Sequence, residues 1–265
     1  MLATSPTAAF PEVASAAPAD DGTIDRAFVL QMSQIPFIAA ILVACSWLAH
    51  TLWTAVAGSE PTMPNYGPVI VVCLGMLLCA FIDGWAFKVP NWLTLSLVVS
   101  GWVIGILHNC DAAIDGGRGG FGAALMGTMI GFLLLFPALA IGGMGQGDVK
   151  MQMGFGSWIG AYFGIHDAPE IILFSFAAGA IVGGVFGVVM MACRRNFHKN
   201  ISNFKEIGND LKILVTMGPS KASQRAGERR SKWDRLPYGV PLCVGFLGYL
   251  AYLHMTGTVP ASIVG

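Results

Sequence analysis

Charge is the first thing this sequence has little of. Only 11% of its 265 residues are Asp, Glu, Lys or Arg, against 55% hydrophobic, and the mean hydropathy is +0.66. A chain of this length with so few charges cannot cover a water-facing surface, so a large soluble catalytic domain is excluded and an integral membrane protein is implied. Cysteines are few and unpaired in pattern: the six at 45, 73, 79, 110, 193 and 243 contain no CxxC, which argues against a zinc knuckle or a disulfide framework. Also missing are HExxH, GxSxG and a phosphate-binding loop, and the five His are scattered near span ends or in loops. Metalloprotease and serine-protease readings therefore lack their parts.

What the sequence does have is long apolar runs. They fall at about 36–57, 67–82, 90–108, 121–143, 151–165, 171–193 and 237–257, each near the roughly 20 residues that a helix needs to cross a bilayer. The expectation is an all-α, polytopic membrane protein of seven spans. Residues 1–35 are rich in Ala, Pro and Ser and read as a disordered leader rather than a signal peptide. Small residues at four-residue spacing, Gly127 with Gly131 and Gly179 with Gly183 and Gly187, point to close helix packing.

The basic residues are strongly segregated. Eleven of the 15 Lys and Arg lie in 194–235, and the others are Arg26, Lys88, Arg118 and Lys150. Placing 194–235 in the cytoplasm puts all but Arg118 on the inner side of a seven-span chain, as the positive-inside rule requires. The leader is then cytoplasmic and the C-terminus periplasmic or extracellular. The 194–235 loop reads either as a solvated segment near anionic lipid or as a docking site for a partner. No nucleic-acid partner is expected.

Most acidic residues fall in the leader, the outer loops or the basic loop, where water solvates them. Asp83, at the end of the second apolar run, and Asp148, in GGMGQGDVK, do not. Sixty-five positions separate them, enough for one helix out, a loop and one helix back, so both should reach the cytoplasmic membrane face. Two carboxylates at one membrane depth are costly unless paired, hydrated or used. Two Asp sharing one proton suit aspartic proteolysis: one activates water as a base while the other, protonated, polarises the scissile carbonyl. That chemistry requires no cofactor and no metal. Gly145 and Gly147 allow the backbone a sharp turn beside Asp148. Lys150 either tunes Asp148 or touches a substrate carbonyl, or else it simply snorkels to lipid phosphate. Asn91 and Thr94 read as capping or orienting the third helix, and Pro90 fits its first turn.

Three segments carry a resemblance. Gly145-Gln146-Gly147-Asp148-Val149-Lys150 resembles the GxGD motif of intramembrane aspartic proteases in the form found in type IV prepilin peptidases. Asp83 followed by Lys88-Val89-Pro90-Asn91-Trp92-Leu93-Thr94 is similar to that family's first-aspartate segment, and Pro237-Tyr238-Gly239 to the opening of its last helix. The resemblance covers about 67–257 and implies a six-helix peptidase core with one extra N-terminal transmembrane helix at 36–57. It implies the small, peptidase-only type associated with Flp (Tad) pili, without the methyltransferase region of larger members. By that likeness Asp83 and Asp148 are catalytic, and Gly145, Gly147, Lys150, Lys88, Pro90, Asn91, Pro237, Tyr238 and Gly239 support substrate or motif. The substrate would be a prepilin or pseudopilin whose basic leader is cut at the cytoplasmic face of the bacterial inner membrane, with membrane lipid and pilus assembly machinery as further partners. Between Asp83 and Lys88, Gly84-Trp85-Ala86-Phe87 is less polar than relatives often are. The rival readings are a proton-coupled transporter, against which both Asp lie at helix ends, and a non-catalytic scaffold of pilus assembly, against which both Asp are retained.

Overall fold

The structure, a computed structural model, describes residues 26–58, 65–86, 89–111, 117–141, 143–193, 212, 216 and 238–256. These are helical apart from short turns, with no strand among the described residues. Among the described residues, six helices are long and apolar enough to cross a membrane. They are α1 (Arg26–Ala57), α2 (Gly67–Ala86), α3 (Asn91–Asn109), α4 (Phe121–Ala140), α5 (Gln146–Cys193) and α6 (Gly239–Thr256). The protein is a multi-pass membrane protein of the all-α class. Its outer faces carry Leu, Val, Phe and Trp, among them Leu74, Phe81, Leu133, Val185 and Val244, as a lipid-facing surface requires.

Six helices make seven passes because α5 is two limbs. At Gly164 the backbone leaves helical geometry (φ 83°, ψ −177°), a conformation open to glycine alone among common residues. The two limbs run antiparallel: Met144, just before α5, and Val188 and Val189, near its end, line one groove. Gly164, between them, lies at the opposite face beside Arg118. Helix resumes at once after the bend, and Pro169 sits in the first turns of the second limb, where its missing N–H costs little. The loop expected at 166–170 is therefore helix.

Other boundaries also differ from the sequence reading. The first helix begins at Arg26 rather than 36 and carries Pro36 inside it. The fifth begins at Gln146 rather than 151, which brings Asp148 out of an expected loop and into a first helical turn.

Small residues let the helices close. Gly127 of α4 and Gly156 of α5 each leave no room for a Cβ against the other's backbone carbonyl, and Gly131 lies on the backbone of Gln152. Gly179 and Gly183 of the second limb meet Leu242 and Pro241 of α6, whereas Gly187 faces open space, so the packing stripe ends one turn early. Phe246 of α6 stacks on Phe155 of the first limb (4.2 Å between centroids), while Gly245 abuts Gly179 of the second. Thus α6 is wedged against both limbs. On the other side, α1 leans on α3, where the Ser96 hydroxyl oxygen comes within 3.4 Å of the Ile35 carbonyl.

Candidate active site

One face of the bundle gathers the C-terminal end of α2 and the N-terminal ends of α3, α5 and α6. Asp83 and Asp148 come to this face, and each is only 6% exposed. They sit within electrostatic reach of one another, although they were placed by helices far apart in sequence.

Each carboxylate is held at the start of a helix. The Gly239 N–H, the first of α6, donates to Asp83 Oδ2 at 2.9 Å. The Gly145 N–H donates to Asp148 Oδ2 at 3.2 Å. Asp148 is the third residue of α5 and reaches back to the N–H just before it, which is the acidic half of a capping box. Helix N-termini present unpaired N–H groups and the positive end of the macrodipole, so α5 and α6 give the two carboxylates donors without a Lys or Arg. The glycines follow from the same geometry. A Cβ on Gly239 would lie 2.8 Å from Asp83 Oδ2, one on Gly147 would press on Val89 at 3.2 Å, and one on Gly145 would meet Asp148 Oδ2 at 3.3 Å.

The supporting residues separate into three groups. Lys150 Nζ donates to Asn91 Oδ1 at 2.7 Å, tying α5 to the start of α3. Asn91 is the first residue of α3 and makes no cap. Pro90 precedes it, and its carbonyl accepts from the Leu93 and Thr94 N–H groups and the Thr94 hydroxyl. Tyr238 stands at the mouth of α6 close enough to feel Asp148, and burial together with that charge pushes its phenol above the usual range. Lys88 and Pro237 lie outside the described residues.

Beside Tyr238 and Met144, an apolar groove of about 760 Å³ runs between α6 and the second limb of α5, along Gly183, Gly187, Pro241 and Leu242. No cluster of His, Cys, Asp and Glu suited to a metal ion occurs among the described residues. Sequence reasoning missed Gln152, fully buried one turn beyond Asp148. Its i+4 spacing from Asp148 in an otherwise apolar run was the available signal.

A polytopic helical protein with two buried aspartates at one bundle face is the class that this geometry defines. Residues 70–188 match the model of the type IV leader peptidase family, a segment that contains both aspartates and ends before Tyr238. Two curated proteins, the prepilin leader peptidase/N-methyltransferases of Burkholderia pseudomallei strains 1026b and K96243, are each 29% identical over 119 residues, 42% of this chain. The match spans about a third (35%) of the length of those relatives. No solved structure matches. The likeness to type IV prepilin peptidases thus holds over the segment that brings the two aspartates together.

Proposed function

We propose that this protein is an aspartic prepilin peptidase, an endopeptidase that removes the basic leader from Flp-like prepilins or pseudopilins at the cytoplasmic membrane face. The observation that carries the reading is the pair itself: two buried carboxylates within electrostatic reach of one another, each anchored by a helix-start N–H, inside a segment matching a leader peptidase family.

Two like charges so placed favour a state that holds one proton between them. The ionised aspartate takes a proton from water as the oxygen attacks the scissile carbonyl carbon. The protonated one donates to the carbonyl oxygen. Collapse of the tetrahedral intermediate then breaks the C–N bond, and a proton from the pair leaves with the amine. The dyad end of the bundle is cytoplasmic in this reading, so the leader stays in water, and the apolar groove beside Tyr238 receives the hydrophobic segment that follows the cut.

Purified protein in lipid or detergent, given a synthetic prepilin with a basic leader and an apolar helix, should release that leader. The rate should follow a bell in pH, its two limbs belonging to the pair rather than to either residue. Failure of correctly folded protein to cut any such peptide would leave the scaffold reading in its place.

A further inference from the structure

Buried polar side chains in this bundle nearly always find a partner. The hydroxyls of Ser96, Ser100 and Thr128 return to carbonyls of their own helices. Those of Ser157 and the indole of Trp158 reach carbonyls of α3. Gln152 breaks this pattern. It is 0% exposed, and neither its Nε2 nor its Oε1 has a hydrogen-bond partner among the described residues. Ser175 Oγ and His50 Nδ1 share the condition, but each is a single atom, whereas Gln152 leaves a whole carboxamide unmatched. An unpaired amide in a low-dielectric interior is costly, and an apolar residue of the same length would avoid the cost.

Its position suggests what the amide meets. Gln152 follows Asp148 by four residues on the same limb, so the two side chains share a face. Side chains on a helix lean toward its N-terminus, which tips the carboxamide toward the dyad. A carboxamide offers one acceptor and N–H donors, the same complement as a peptide unit. A peptide bond can be cut only in an unwound segment, whose free N–H and C=O groups have no water to turn to inside a membrane.

We propose that Gln152 is a substrate-binding residue whose carboxamide pairs with the backbone of the bound prepilin just C-terminal to the scissile bond. This rests on the peptidase reading above. The apolar helix of the substrate lies deeper in the membrane than its leader, so the chain beyond the cut passes Asp148 toward Gln152. One helical turn is about 5.4 Å and an extended chain advances about 3.3 Å per residue, which places the pairing at the first or second peptide unit past the cut.

The experiment uses full-length protein, parental and Gln152→Met, with a synthetic prepilin peptide. Two further peptides replace the first or second peptide N–H beyond the cut by an ester oxygen. Gln152→Met should lower kcat/KM about tenfold, the worth of one buried hydrogen bond, while its thermal midpoint holds or rises because an unpaired polar group has gone. One ester should slow the parental protein similarly and cost Gln152→Met nothing more, since the two changes delete the same bond. The inference is overturned if Gln152→Met cuts at the parental rate, if its loss comes with a lowered midpoint, or if the ester loss adds fully to it. It is overturned as well if the parental protein cuts ester and amide peptides alike, a result that needs no variant to fold. If the parental protein does not cut the all-amide peptide, the peptidase reading itself fails.

Discussion

At the scale of single residues, the site is built from backbone N–H groups as much as from side chains. Asp83 lies 156 positions from the Gly239 N–H that it accepts from, and that contact works only because Gly239 has no Cβ. Gly239→Ala would place a methyl 2.8 Å from Asp83 Oδ2, so either the carboxylate or the start of α6 must move. Loss of one charge-assisted hydrogen bond should lower leader cleavage by about tenfold or more, with membrane insertion retained. Initial rates for this variant check it, and a rate equal to the parental one would show that α6 does not position Asp83. Lys150 illustrates the opposite case. Its sequence position near Asp148 invited an electrostatic role, and the structure adds a positional one, since one of its three N–H donors goes to Asn91 and joins two helix starts.

At the scale of elements, the apolar runs of the sequence were legible because a span must be about 20 residues long and nearly free of charge. The ends of those runs were harder to place. Asp148 and Lys150 make 146–150 look like a loop by composition, but Asp148 caps the helix that contains it, and capping depends on backbone geometry rather than hydropathy. The proximity of Asp83 and Asp148 followed from counting spans between them. Which N–H each accepts did not, because α6 returns to Asp83 from across the chain. The break at Gly164 was visible only as one glycine among several in a short span. Its φ of 83° makes it testable. Gly164→Val should cost about 1–3 kcal/mol through backbone strain and lower the thermal midpoint. Gly184→Ala, at a helical position with nothing within 4 Å of its Cβ, should not. Equal midpoints for the two variants would mean that the corner is not strained.

At the scale of the whole molecule, seven passes put the start of α1 and the end of α6 at opposite faces. Tyr66, at the far face, touches both Trp53 of α1 and His254 of α6, while Ile35 lies against Ser96 near the start of α3. In the orientation proposed from the positive-inside rule, the dyad face is cytoplasmic. A reporter inserted in 196–234 should then read cytoplasmic and one after residue 265 should not; both reading the same side would separate the dyad from the leader that it is proposed to cut. The central claim, that Asp83 and Asp148 together perform the hydrolysis, is tested most directly by one measurement: the initial rate of leader release from a synthetic prepilin by purified Asp83→Asn and Asp148→Asn, beside Asp111→Asn and Glu170→Gln, exposed acidic residues at the far face. An amide keeps the shape of the carboxylate but can neither carry its charge nor exchange its proton, so each dyad variant should fall to background while both far-face variants keep the parental rate. Cleavage at the parental rate by either dyad variant would contradict the two-aspartate mechanism.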